Sequence, residues 1–127
     1  MNQKLANALA EGGIADITTI GRKSGTARRI EIYFHNFDGE LYLAGRPGFK
    51  RDWLANLAAN PDFTLHLKRG VEANLDATAR VITDRDERYQ VLWRARTESW
   101  GVEPERAARD HEHWVETSPL AAFSLTT

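Results

Sequence analysis

Apolar and polar side chains alternate along Arg28–Phe37, with Ile30, Ile32 and Phe34 on one side and Arg29, Glu31, Tyr33 and His35 on the other. A period of two predicts a half-buried β-strand. Asp38-Gly39 follows, a pair suited to the positive φ of a tight hairpin, and Glu40–Ala44 returns as the paired strand. The same reading predicts strands over Ile14–Ile20, Phe63–Lys68, Ala73–Ile82 and Leu120–Leu125. Helical spacing appears in four places. Gln3–Glu11 sets Leu5, Ala8 and Leu9 on one face and stops at Gly12-Gly13. Lys50–Ala59 carries Trp53, Leu54, Leu57 and Ala58 at helical intervals, and Asn60-Pro61 ends it. Thr83 and Asp86 form a capping-box pair before a helix that runs to about Thr97, and Pro104–Glu116 is a helix with proline in its first turn.

Five or six strands joined by short turns, with a few helices, predict an α+β, mainly β architecture: an antiparallel barrel with helices at its ends. The chain has 127 residues and neither repeats nor linkers, which favours a single domain over 1–127. No apolar run approaches the length of a membrane span, and the N-terminus does not read as a signal peptide, so the expected setting is cytoplasmic. Cysteine is absent, which excludes disulfides, thiolate metal sites and cysteine nucleophiles.

The net charge of −1 hides an uneven distribution. Arg22, Lys23, Arg28, Arg29, Arg46, Lys50 and Arg51 crowd the stretch from Gly21 to Arg51, whereas Asp84–Glu116 is net acidic. Within the basic stretch, Gly21-Arg22-Lys23-Ser24-Gly25 lies between two strands. Glycines there let backbone N–H groups approach an anion, while the hydroxyl and the cations add donors and charge. The loop lacks the Walker order of glycine, lysine and serine, and a solvated turn remains the plain alternative. Trp53 and Asn56 share a helix face, suited to stacking on a ring and bonding its carbonyl, or to ordinary core packing.

Other groupings carry less. His111 and His113 are two apart, so on a helix they point away from each other and do not make a metal pair. His35 and His66 read as sheet residues. Tyr89, Trp93 and Trp100 read either as a lid over a planar substrate or as core. There is no nucleophile elbow, and the acidic neighbours of Arg94 and Arg96 argue against a nucleic-acid surface.

The run Thr18-Thr19-Ile20-Gly21-Arg22-Lys23-Ser24-Gly25-Thr26-Ala27-Arg28 resembles the opening signature of the deazaflavin-dependent nitroreductase family. Arg46, the block Trp53-Leu54-Ala55-Asn56-Leu57 with Ala59-Asn60-Pro61, and the later Ala77-Thr78-Ala79-Arg80 are similar to that family's further blocks, in the same order. The resemblance implies a split β-barrel akin to pyridoxamine-phosphate oxidase, with coenzyme F420 as cofactor. It also implies hydride transfer from the reduced deazaflavin to a small organic acceptor, such as a quinone, a nitro compound or an activated alkene. By position, Arg22, Lys23, Ser24, Gly25 and Arg28 would meet the cofactor's phosphate and tail, with Arg46 assisting, and Trp53 and Asn56 would pack near it. Tyr33 would line the substrate side, and any proton would come from solvent or from Tyr33, His35 or Tyr89. Gly45 stands where many members carry serine, and the segment from Arg46 to Trp53 is short. Rival expectations are therefore a non-catalytic F420 carrier and an FMN- or haem-binding barrel of the same shape. A homodimer is the expected assembly.

Overall fold

The computed structural model describes residues 2–48 and 52–126. Helix α1 (Gln3–Glu11) leads into β1 (Gly13–Ile20), β2 (Ala27–Phe37) and β3 (Glu40–Ala44). After α2 (Asp52–Ala59) come β4 (Asp62–Leu67) and β5 (Ala73–Val81), then α3 (Arg85–Arg94), a π-helical turn (Ala95–Ser99), α4 (Pro104–Thr117) and β6 (Leu120–Leu125). The six strands close into an antiparallel barrel in the order β1-β2-β3-β6-β5-β4, with β4 pairing back onto β1. The expected architecture is the observed one. The predicted helix start at Lys50 lies outside the described residues.

Alternation explains the closure. Ile17, Phe34, Leu43, Leu65 and Phe123 point into the barrel and are nearly or wholly excluded from water. The hairpin at Asp38-Gly39 uses positive φ at both residues, 57° and 91°, which Gly39 tolerates without strain and Asp38 accepts more readily than most side chains. Asn36 secures that corner: its Oδ1 accepts from the Gly39 N–H and its Nδ2 donates to the Leu9 carbonyl at the end of α1.

The antiparallel register sets Asp16 directly opposite Glu31, a repulsive pairing on its own. Lys68 repairs it with bonds of 2.7 Å to Asp16 and 2.5 Å to Glu31, and Arg29 adds a 3.0 Å bond to Asp16. Lys68 and then Arg29 hold the Asp16 carboxyl below its ordinary range.

Three expectations need correction. The cap of α3 is Asp84, whose side chain accepts from the Glu87 N–H, in place of the Thr83–Asp86 pair. The α-helix also stops at Arg94, short of Thr97, because the chain widens into a π-turn closed by the Trp100 N–H on the Ala95 carbonyl. Finally, β2 is not half-buried along its whole length. Its second face is exposed at Arg29 and Glu31, but His35 is only 1% exposed and Phe37 8%. Phe37 packs with Ile82, Leu92, Ala95 and Leu120 in a second apolar cluster that attaches α3 to the barrel.

Candidate functional site

The loop from Gly21 to Thr26 folds on itself. The Gly21 N–H donates to the Thr26 carbonyl at 2.8 Å, the Gly25 N–H to the Gly21 carbonyl at 2.9 Å, and the Thr26 N–H to Ser24 Oγ at 3.1 Å. Ser24 leans so close to Gly21 that a Cβ there would sit 2.5 Å from its Oγ, and Gly25 holds a φ of 70°. Both glycines are thus demanded by the loop's shape.

Asn56 fixes this loop from beneath. Its Oδ1 accepts from the Arg22 backbone N–H at 3.1 Å and from Arg22 Nη1 at 3.3 Å, and its Nδ2 donates to Thr19 Oγ1 at 3.2 Å. The Asp52 carboxylate lies 3.7 Å from Arg22 Nη1. Asn56 is 4% exposed with both ends of its amide engaged, so it tethers the loop and has little left for bonding a ring carbonyl. Arg22, Lys23 and Arg28 are all exposed, but Arg22 is bonded to Asn56 and paired with Asp52, whereas Lys23 and Arg28 make no such bond among the described residues.

Around the loop is a cavity of about 350 Å³ bordered by Lys23, Ser24, Arg28, Trp53 and Asn56. A larger one of about 920 Å³ is bordered by Tyr33, Gly45, Arg46, Trp53, Trp100 and Trp114. Ile30, Asp52 and Trp53 border both, so the two form one cleft, with Lys23 and Arg28 at its smaller end and an aromatic wall that also carries Arg46 and Arg106 at its larger end. Trp53 is 6% exposed and belongs to the barrel core as well as to the cleft wall. The core and cofactor readings of this tryptophan are therefore compatible.

The far wall comes from distant sequence. The π-turn delivers Trp100 edge-on to Tyr33, with ring centroids 5.7 Å apart, and α4 brings Trp114 within 5.9 Å of Trp100. The proposed aromatic lid is corrected: Trp100 borders the cavity, but Tyr89 and Trp93 pack around His111 away from it. Sequence reasoning missed Trp114 and Arg106, both on the cleft. Their only signal is that both fall within the stretch predicted as the Pro104–Glu116 helix, which the structure kinks at Asp110.

Two buried histidines have structural work. His35 Nδ1 meets Ser99 Oγ at 2.9 Å, and its ring lies among Tyr33, Phe37 and Trp100 at 5.0–5.5 Å. Burial pushes its pKa down to about 4, so it is neutral at pH 7 and a poor proton donor. His111 Nε2 lies 3.0 Å from the Tyr89 carbonyl, and its Nδ1 3.2 Å from Arg96 Nη1. A carbonyl only accepts and a guanidinium only donates, so the ring must be neutral with the proton on Nε2. Burial, and then Arg96, lower its pKa. Arg96 also bonds the Ala107 carbonyl and Asp110, and lies 4.4 Å over the Trp114 ring. It latches the π-turn to α4. Among the described residues no group of three or more His, Asp or Glu side chains is placed to hold a metal, and no helix is long and apolar enough to cross a membrane.

The barrel's class is that of the split-barrel proteins related to pyridoxamine-phosphate oxidase. A candidate pyridoxamine 5′-phosphate oxidase from Listeria innocua superposes with a TM-score of 0.66 at 11% identity, over 98% of this chain and 92% of its own. A conserved hypothetical protein from Mycobacterium tuberculosis gives 0.79 at 13% identity, over 100% and 82%. An F420-H2 dependent reductase gives 0.55 at 18% identity, over 87% and 92%. Within that class, residues 2–114 match the F420H(2)-dependent quinone reductase family, and the chain belongs to it. It is an oxidoreductase whose cofactor is coenzyme F420, as the signature around Gly21–Arg28 implied.

Proposed function

We propose that the F420 phosphate and tail lie on the Gly21–Gly25 loop while the deazaflavin ring reaches past Trp53 into the larger cavity, with the acceptor beneath Trp100. The continuity of the two cavities through Ile30, Asp52 and Trp53 carries this reading. It sets cations at the end where an anionic tail belongs and flat apolar walls where a ring belongs. Lys23, Arg28 and the Ser24 hydroxyl supply the anion contacts, since the Gly21, Arg22, Gly25 and Thr26 N–H groups are spent on acceptors within the fold. Arg22 and Asn56 hold the loop in shape. Arg46 borders the same cavity as the ring.

Reduced F420 supplies a hydride equivalent when bound, so the protein's tasks are binding, orientation and exclusion of water. Trp53, Trp100 and Trp114 perform the last two. Tyr33 is the hydroxyl-bearing side chain on the acceptor side, the one group of the three named that can protonate a reduced acceptor from the cavity wall. His35 is buried and neutral, and Tyr89 points elsewhere. Gly45 borders the cavity without a side-chain donor, which leaves ring orientation to packing.

In this reading the whole chain acts as one cofactor-binding domain in the cytoplasm. A homodimer is the assembly we propose, supported by a related structure described as a domain-swapped dimer, with a TM-score of 0.60 at 19% identity over 88% of this chain and 80% of its own. The test is anaerobic oxidation of reduced F420 by a naphthoquinone, followed by the return of the oxidised cofactor's visible absorbance. Turnover that falls at least tenfold in Trp53→Leu, which keeps an apolar side chain in the core and loses the flat ring, is expected, with the urea midpoint showing that the fold is retained. Undiminished turnover in that variant would displace the ring from this cavity.

A further inference from the structure

Cations on the cleft differ in what they are already doing. Arg22 is committed to Asn56 and Asp52. The two carboxylates that border the larger cavity are themselves neutralised, Glu31 by Lys68 and Asp52 by Arg22. Arg106 borders that cavity too, yet makes no hydrogen bond or ion pair among the described residues. Its backbone is nonetheless firmly placed. Arg96 bonds the carbonyl of the next residue, Ala107, and Asp110 one turn on, and stacks on Trp114 a further turn along. α4 is kinked at Asp110 (φ −128°, ψ 16°), but the Arg96 bonds to Ala107 and Asp110 hold the segment that carries Arg106, and its uncommitted guanidinium and the Trp114 indole border the same cavity.

The same arrangement occurs once at the other end of the cleft, where Arg28 borders the smaller cavity without an ion pair among the described residues. The shared waist of Ile30, Asp52 and Trp53 separates the two. Arg28, with Lys23 beside it, is accounted for by the cofactor tail, whereas Arg106 stands on the acceptor side, on the cavity that Arg46 also borders.

We propose that Arg106 is a specificity residue that selects flat aromatic or quinonoid acceptors bearing a carboxylate, held with the ring against Trp100 and Trp114 and the carboxylate on the guanidinium. This deepens the proposed function and rests on its placement of the acceptor in the larger cavity. A guanidinium meets a carboxylate through two parallel N–H donors, giving orientation as well as attraction. The ring is then fixed at one edge, with its face turned to whatever occupies the cavity floor near Trp53. No new chemical step is needed: the acceptor gains a hydride from reduced F420 and a proton from the tyrosine or solvent, and F420 is oxidised.

The experiment uses a naphthoquinone carrying a short carboxyalkyl chain and its methyl ester, which differ in charge with the quinone electronics unchanged. Two readouts are taken on the full chain: kcat/KM with reduced F420, and quenching of tryptophan fluorescence by each quinone without cofactor. The wild type should favour the acid in both, roughly tenfold at low salt, with the preference shrinking as ionic strength rises. Arg106→Gln should abolish the preference, Arg106→Lys should keep part of it, and Arg109→Gln, on the same helix but off the cavity, should keep all of it. Equal use of acid and ester by the wild type, or a preference that survives in Arg106→Gln, would overturn the proposal. If quenching shows the charge preference while no quinone is reduced, the anion site stands and the placement of the reaction fails.

Discussion

Lowering the pH should weaken this fold through His35 before its carboxylates are affected. The ring is 1% exposed, its pKa is pushed from 6.5 to about 4 by burial, and its Nε2 has no partner among the described residues. Because the folded state disfavours the charged ring, the unfolded chain binds more protons between pH 6.5 and 4. Stability is complete above the unfolded pKa and is lost as pH falls towards the folded one. The two pKa values give a loss of about 2 kcal/mol by pH 5 and about 3 kcal/mol by pH 4. That is a large part of the ~5–15 kcal/mol stabilising a typical domain. His111 contributes in the same direction. The Asp16, Glu87 and Asp110 carboxyls, all held low by cations, lose their contribution only at and below the ordinary carboxylate range. Urea unfolding at pH 7.5, 6, 5 and 4, followed by tryptophan fluorescence, should be run on the wild type and His35→Phe. Phenylalanine suits the stack with Phe37 but cannot take a proton, and the Ser99 bond it loses is a pH-independent offset. The stability difference should therefore move by about 3 kcal/mol in favour of the variant between pH 7.5 and 4. A difference that stays constant with pH would refute the reasoning. Since His35 also touches Tyr33 and Trp100, activity should decline in the same window.

Further tests follow from single contacts. Asn56→Leu leaves the Arg22 N–H and the Thr19 hydroxyl without their partner, so urea unfolding should show a loss of about 2–3 kcal/mol, together with weaker F420 binding. Gly21→Ala should force Ser24 off its bond to the Thr26 N–H and weaken F420 binding; if the Ser24→Ala background does not reduce that added penalty, the close approach is not its cause. Arg96→Leu unlatches α4 from the π-turn and should cost about 2 kcal/mol in unfolding free energy, with a shift in tryptophan emission that is absent in an Arg96→Leu, Trp114→Phe variant showing that the cleft wall has moved.

The barrel was legible because its strands obey a local rule. Ile30, Ile32 and Phe34 alternate, Asp38-Gly39 turns, and a six-strand closure follows from such pieces. The Gly21–Gly25 loop was legible for a similar reason, since glycine, hydroxyl and charge lie within one short span. What the sequence concealed depends on residues far apart in the chain. The burial of His35 needs Ser99, 64 positions away, and the tether on Arg22 needs Asn56, 34 away. The π-turn has no propensity signature: Ala95–Ser99 looks like more helix until Trp100 must meet Tyr33. Arg96, read as one charge among several, is buried because α4 folds back over it.

The central claim is that the cationic loop grips coenzyme F420. It is tested most directly by titrating the purified protein with F420 and, in parallel, with FMN, for the wild type and a Lys23→Ala, Arg28→Ala variant. The account predicts micromolar binding of F420 that weakens by at least tenfold in the variant, while the urea midpoint hardly changes because both side chains are exposed. Undiminished F420 binding in the variant, or tight binding of FMN alone, would contradict it.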